Sequence, residues 1–186
     1  MFVPMQTDRL TLRRLSPDDA PTVHSYRSDP EVFKYQMWRP RSVDDTRQFL
    51  AQLAAVEPDT PGTWLQLALV SRDDNAVVGD CGIRFPDNDP HQVELGSTLR
   101  PSHQRRGLAS EALLAVLAYV FESLHKRRVF ASVDPRNQAS IALLNRIGMR
   151  QEAHFRESLL VEGEWVDDIV YAMLVREWEE RGAAER

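Results

Sequence analysis

The sequence has one cysteine, Cys81, among its 186 residues. A single thiol cannot form an intrachain disulfide, which excludes a disulfide-stabilised secreted domain and favours a reducing compartment. No apolar run approaches the roughly 20 residues that a membrane-spanning helix needs. Residues 1–12 also lack the basic start and apolar stretch of a signal peptide. We therefore expect a cytoplasmic protein without a membrane partner.

Positive charge is also scarce. Lys and Arg number 23 against 28 Asp and Glu, which gives a net charge of −5. The chain as a whole therefore repels phosphate backbones, and we expect no nucleic-acid partner. Such a chain favours a cationic acceptor, although a local basic patch can still hold an anionic cofactor. The five histidines show no ligand spacing, so no metal site is expected; they are His24, His91, His103, His125 and His154.

Apolar patterning predicts one mixed α/β domain over residues 1–186. Strands are expected at 8–15, 64–71, 76–85, 92–99, 128–133, 151–161 and 165–174. Helices are expected to begin at Ser16 and Ser42 and to span 107–124 and 137–147, with Gly148 as a C-terminal cap. The order is β-α-α-β-β-β-α-β-α-β-β, in which an antiparallel meander feeds a β-α-β unit and two strands end the fold.

Residues 30–41 form a proline-bounded stretch with four large apolar side chains, Phe33, Tyr35, Met37 and Trp38. Apolar groups in an irregular segment indicate either a lid or pocket wall, or a plug at the edge of the core. The residues alone leave both interpretations open.

The segment Gln104-Arg105-Arg106-Gly107-Leu108-Ala109 opens the long helix at 107–124. A helix start has unpartnered N–H groups and the positive end of the helix dipole, which together favour an anion. Gly107 permits close approach of the backbone, and the two arginines add positive charge. The Gly-Lys-Ser/Thr of a nucleotide-binding loop is absent. The alternative is an ordinary basic loop.

This loop resembles the Q/R-x-x-G-x-G/A signature of the GNAT superfamily of N-acetyltransferases. Further segments that resemble the family in the same order are 8–13, 93–96, 134–140, 143–149 and 163–168 with Tyr171. They are similar to the branch of ribosomal-protein serine and alanine N-terminal acetyltransferases (RimJ/RimL type). The resemblance implies a mostly antiparallel sheet flanked by helices, a splayed strand pair at the cofactor site, and a cofactor-binding core at about 92–149.

The resemblance also implies where acetyl-CoA binds. It places the pyrophosphate on the backbone of six consecutive residues, with Gln104 setting the loop; the six are Arg105, Arg106, Gly107, Leu108, Ala109 and Ser110. The pantetheine arm would pair along Gly96 to Leu99. Asn137 matches the family residue that faces the pantetheine, although capping of the helix would explain Asn137 as well.

The catalytic residues follow less directly. Glu94 is the best candidate for a general base that removes a proton from the amine; a solvent-facing strand carboxylate is the alternative. Leu144 occupies the position where many relatives have a proton-donating Tyr, so Ser140 or water would protonate the leaving thiolate. Backbone N–H groups of the splayed strand could hold the oxyanion.

The acceptor remains open between a protein N-terminal amine and a small-molecule amine. A closed pocket lined by Tyr35, Trp38 and Trp165 would favour the small amine, and an exposed groove would favour a protein. A homodimer is compatible with the sequence. Two other functions compete with an N-acetyltransferase: a non-catalytic acyl-CoA sensor, which the Leu144 replacement favours, and a nucleotide- or phosphate-binding regulator.

Overall fold

A computed structural model of the protein describes residues 2–36 and 38–184. Within those residues, eight strands form one open sheet in the order β1-β2-β3-β4-β5-β6-β8-β7. The strands are β1 Met5–Gln6, β2 Leu10–Arg14, β3 Thr63–Ser71, β4 Val77–Phe85, β5 Gln92–Leu99, β6 Arg128–Val133, β7 Arg150–Val161 and β8 Glu164–Leu174. Every neighbouring pair is antiparallel except β5 and β6, which are parallel. The predicted mixed, mostly antiparallel sheet is confirmed.

Helices cover both faces of this sheet. They are α1 Ala20–Arg27, α2 Pro30–Phe33, α3 Val43–Ala54, α4 Leu108–Ala118, α5 Gln138–Arg146 and α6 Val175–Ala184. Side chains of α4 and α5 pack with the main hydrophobic core on one face. Those of α1 and α3 pack in a second, smaller core with Ala68 and Val70 of β3 and Val77 of β4 on the other face. None of the helices in the described residues is long and apolar enough to cross a bilayer.

Two predicted helix ends are confirmed by their hydrogen bonds and backbone angles. The Ser42 hydroxyl accepts a hydrogen bond from the Asp45 N–H at 3.0 Å and so caps α3. Gly148 follows α5 with a φ of 90°, a conformation that glycine adopts without a steric penalty. Ser16 precedes a short 3₁₀ turn, Pro17–Asp19, which leads into α1.

Three elements were not predicted: β1, the single-turn helix α2 within residues 30–41, and α6. The prediction that two strands end the fold is therefore wrong. Helix α6 is rich in charge, and tertiary contacts anchor it. The Arg181 guanidinium donates to the Ile147 carbonyl at 2.6 Å, and Trp178 stacks on Phe121 with ring centroids 6.0 Å apart.

The parallel strands β5 and β6 diverge along their length. They pair at three positions, Gln92 with Arg128, Val93 with Val129 and Glu94 with Phe130. Beyond these positions β5 continues to pair with β4, and β6 with β8. The divergence leaves the edge of β5 from Leu95 to Leu99 unpaired on its β6 side. The splayed strand pair that the resemblance implied is present.

Candidate active site

A cavity of about 500 Å³ opens where β5 and β6 separate. Its wall combines the diverging strands with the start of α5, the β7–β8 hairpin and the segment before α3. Among the residues predicted for the site, Glu94, Asn137 and Ser140 line this cavity together. Leu99, the last residue of β5, and residues 104–110, which follow that strand, lie outside the cavity wall.

The loop between β5 and α4 is fixed by local contacts. The Gln104 side-chain amide donates to the Leu99 carbonyl at 3.1 Å, which ties the loop to the end of the splayed strand. Arg105 has a φ of 60° and Gly107 a φ of 80°, so left-handed residues lie on both sides of Arg106. Turns of this kind gather successive N–H groups on one side and form anion-binding concavities.

The hydrogen-bonding capacity of the loop suits an anion with several oxygens. Within residues 2–36 and 38–184, the N–H groups of residues 105–110 donate to no partner. The Ser110 hydroxyl, in the first turn of α4, is buried and also has no partner among the described residues. Burial together with the positive charges of Arg100 and Arg106 lowers the pKa of His103. The potential around the loop is therefore positive, and its free donors fit a pyrophosphate.

A clamp from the N-terminal segment holds this loop, and the sequence did not reveal it. Arg9 donates to the Arg106 carbonyl at 2.9 Å and to the Glu111 carboxylate at 2.6 Å. The Thr7 hydroxyl donates to the same carboxylate at 2.5 Å. Burial acts to raise the pKa of Glu111, but the hydrogen bonds from Thr7 and Arg9 outweigh it and lower that pKa. Arg9 lies in the segment 8–13 that resembles the family's opening strand, and no motif in the sequence indicates a role for it.

Helix α5 brings three predicted positions to the cavity. The Asn137 side-chain oxygen accepts from the Ser140 N–H at 3.1 Å, so Asn137 does cap the helix. The Ser140 hydroxyl lines the cavity and has no hydrogen-bond partner among the described residues. Leu144 lies one turn further along the same wall and is buried.

Glu94 lies on β5 where the strands begin to separate. Its carboxylate accepts from the Arg84 guanidinium at 2.9 Å, and its side chain is 18% exposed. The charge pair fixes the carboxylate orientation on the cavity wall.

Residues 34–36 and Trp38 form a second wall. Gln36 accepts from Arg27 at 2.7 Å and donates to the Thr98 hydroxyl at 2.8 Å, which joins this segment to the splayed half of β5. Trp38 lines the cavity and stacks on Phe49 with ring centroids 4.1 Å apart. These contacts favour the pocket-wall interpretation of residues 30–41, of which Met37 lies outside the described residues. Trp165 is 62% exposed and does not line the cavity.

Comparisons with known proteins agree with this geometry. The sequence model of the acetyltransferase (GNAT) domain matches residues 9–150. The chain is 31% identical to the uncharacterized N-acetyltransferase p20 of Bacillus licheniformis over 175 residues, 94% of this chain and 97% of that protein. It is 27% identical over 182 residues to the Escherichia coli (strain K12) [ribosomal protein uS5]-alanine N-acetyltransferase, which covers 95% of this chain and 93% of that enzyme.

Solved structures share the fold. A GNAT-family acetyltransferase from Bacillus anthracis superposes with a TM-score of 0.83 at 28% identity, over 94% of this chain and 99% of that one. RimL, a ribosomal L7/L12 alpha-N-protein acetyltransferase solved in complex with coenzyme A, superposes with a TM-score of 0.80 over 92% of this chain and 98% of that one. At 18% identity, RimL shows the shared fold alone. With its splayed strands, its match to the acetyltransferase (GNAT) domain over residues 9–150 and these relatives, the chain belongs to the GNAT family and is an N-acetyltransferase.

Proposed function

We propose that this enzyme transfers an acetyl group from acetyl-CoA to a primary amine, by direct transfer while both substrates are bound. The observation that carries the proposal is that one open strand edge, Leu95 to Leu99, connects the two parts of the site. At one end the edge leads to the start of α4, whose N–H groups have no partner among the described residues. At the other end it leads into the cavity that contains Glu94.

The cofactor half of the site would be built from backbone. The N–H groups of residues 105–110 and the Ser110 hydroxyl would hold the pyrophosphate, with Arg105 and Arg106 adding charge. The loop conformation is held by Gln104. The unpaired edge of β5 up to Leu99 would pair with the pantetheine amides, and Asn137 would meet them from α5. The coenzyme A in the RimL structure supports this use of the shared fold.

When bound, acetyl-CoA supplies a thioester carbonyl that an uncharged amine can attack. Glu94 would accept the proton that the amine loses, either directly or through one water molecule. Backbone N–H groups on the open edge of β5 would donate to the carbonyl oxygen as it gains negative charge. As the carbon–sulfur bond breaks, the Ser140 hydroxyl would pass a proton to the sulfur and regain one from water, or water would protonate the sulfur directly, since Leu144 has no proton to give.

The acceptor is an amine of either a protein N-terminus or a small molecule. The uS5-alanine N-acetyltransferase supports the protein N-terminus. An α-amino group, with an ordinary pKa of about 8, is also far more often uncharged near neutral pH than a lysine amine at about 10.4. The wall formed by Tyr35 and Trp38 favours a small amine as the acceptor, because it closes the cavity on one side.

The test is calorimetric titration of acetyl-CoA, CoA and ATP into the wild-type enzyme and the Gly107→Glu variant. We expect micromolar binding of acetyl-CoA and CoA, weak binding of ATP, and loss of at least about a hundredfold in affinity in the variant. The new side chain would be strained at a φ of 80° and would add negative charge to the phosphate loop.

Gly182→Glu is the matched control, because a side chain at position 182 would meet nothing within 4 Å. It should bind acetyl-CoA as the wild type does. Thiol release in the presence of amines then separates the two remaining functions. Binding without turnover on any amine would favour the non-catalytic acyl-CoA sensor, and binding that Gly107→Glu leaves unchanged would refute the proposed site.

A further inference from the structure

Four carboxylates line the cavity, and three of them already have strong partners. Glu94 pairs with Arg84 at 2.9 Å, and Asp134 with Arg136 at 2.6 Å. Asp167 accepts from His154 at 2.7 Å and from the Glu157 N–H at 2.9 Å, which fixes a bulge in β7. Each of these three carboxylates therefore already has an Arg or His side chain beside it.

The fourth carboxylate, Asp168, is different. It is 9% exposed and accepts one hydrogen bond, from the Ser132 hydroxyl at 2.7 Å. Across residues 2–36 and 38–184, no Lys, Arg or His side chain forms an ion pair with it. A buried carboxylate without a cation is costly, because one neutral hydroxyl replaces only part of its hydration. Asp168 is therefore suited to a positive charge that arrives with a ligand.

A second atom in the cavity also lacks a donor. Gln66 lines the cavity, and its side-chain oxygen is buried and receives no hydrogen bond within the described part of the chain. At Asp168 and Gln66, the atoms that can still form hydrogen bonds are therefore acceptors. A ligand with more than one N–H-bearing group would satisfy it.

The sheet register shows how Asp168 is placed relative to the reaction. Glu94 pairs with Phe130, and Ser132 pairs with Val170. Because alternate residues of a strand share a face, Glu94, Ser132 and Asp168 project from the same face of the sheet. Neighbouring strands lie about 4.8 Å apart, so β8 is at least about 10 Å from β5, and the splay increases that distance.

Because of that separation, Glu94 and Asp168 would contact different groups of a bound acceptor. The reacting amine must come within about 3 Å of the thioester carbon, which the proposed site holds against β5, the strand of Glu94. A cation on Asp168 is then a second charged group of the same molecule, joined to the reacting amine by a short chain.

We propose that the acceptor is a dicationic amine: one amino group is acetylated beside Glu94 while a second positive group pairs with Asp168. This inference rests on the proposed N-acetyltransferase function and specifies its substrate class. The same chemistry occurs in a small diamine and in a peptide whose second residue is basic.

The test measures kcat/KM by thiol release for matched acceptors. The small pair is putrescine and butylamine, which have the same carbon chain with and without the second charge. The peptide pair begins with Ser-Lys and Ser-norleucine. The wild type should prefer the dicationic member of at least one pair, and the responding pair identifies the source of the amine. Asp168→Asn should reduce that preference at least about tenfold, through a loss of kcat/KM for the dicationic member.

Three controls keep this result interpretable. Asp168→Asn retains the shape and an oxygen for Ser132, so the fold should persist, as a thermal unfolding curve would show. Asp168→Glu restores the charge and should restore the preference. Asp44→Asn removes one charge from an 84% exposed side chain on α3 and should leave the preference intact.

The outcomes separate this inference from the function on which it rests. Turnover of amines with no dicationic preference, or with a preference that Asp168→Asn leaves unchanged, would overturn the inference alone. Acetyl-CoA binding without turnover of any of the four acceptors would overturn this inference. Absence of turnover on every other amine as well would overturn the proposed function with it.

Discussion

The two halves of the site are built differently. The proposed phosphate loop is one contiguous segment, 104–110, and it presents backbone N–H groups. The acceptor cavity is assembled from side chains of at least four separate parts of the chain, among them Trp38, Glu94, Ser140 and Asp168. The positions of the backbone N–H donors depend on the conformation of the loop. The binding properties of the cavity depend on which of its charged side chains are paired. The first half should therefore respond to changes in loop geometry and the second to the removal of single charges.

The largest expected effect from a single charge in the cavity is that of Glu94→Gln. Loss of the proton acceptor should lower kcat about a hundredfold or more, because general base catalysis contributes on that order. The Kd for acetyl-CoA should not change, since the phosphate loop lies outside the cavity. Steady-state kinetics and calorimetry on the same preparation would measure both quantities.

Glu31→Gln provides the control for the Glu94 experiment, because Glu31 has an 82% exposed side chain on α2. If both Glu94→Gln and Glu31→Gln have a kcat close to that of the wild type, the result would contradict the role of Glu94. Water alone would then accept the proton of the amine.

A smaller effect is expected on the other half of the site, from Arg9→Ala. The variant loses the hydrogen bonds from Arg9 to Arg106 and Glu111, so the loop should sample other conformations, and the affinity for acetyl-CoA should fall about tenfold. Calorimetry would measure the Kd, and kcat at saturating acetyl-CoA should be nearly unchanged.

Arg9→Lys separates loop geometry from charge, because lysine keeps the charge but cannot reproduce the two-sided contact. It should also weaken binding, whereas Arg47→Ala on the exposed surface of α3 should not. Full affinity in Arg9→Lys would show that the clamp acts only through its charge.

The same contrast explains what the sequence could predict. The cap at Ser42 and the turn at Gly148 depend on neighbours within a few residues, so local patterns were sufficient. The order of the seven predicted strands follows from the same kind of evidence, together with the family resemblance. The splay at Glu94 was predicted through that resemblance alone.

What the sequence did not predict depends on contacts between distant residues. The polar helix α6 is held by Arg181 on the Ile147 carbonyl, and β1 is two residues long and has no periodicity to detect. The clamp joins Arg9 to Glu111, which lies 102 residues away. The adjacent acids Asp167 and Asp168 have different partners, the Glu157 N–H at the bulge in β7 and the hydroxyl of Ser132, and the sequence alone predicted neither contact.

The most direct test of the central claim is hydrogen–deuterium exchange of the wild-type enzyme with and without saturating acetyl-CoA. In the free enzyme the N–H groups of residues 105–110 should exchange quickly, because they have no acceptor. Acetyl-CoA should slow exchange at least about tenfold there and along Leu95 to Leu99. Protection confined to other segments, with unchanged exchange in these two, would contradict an acetyl-CoA site formed by the loop and the splayed strand.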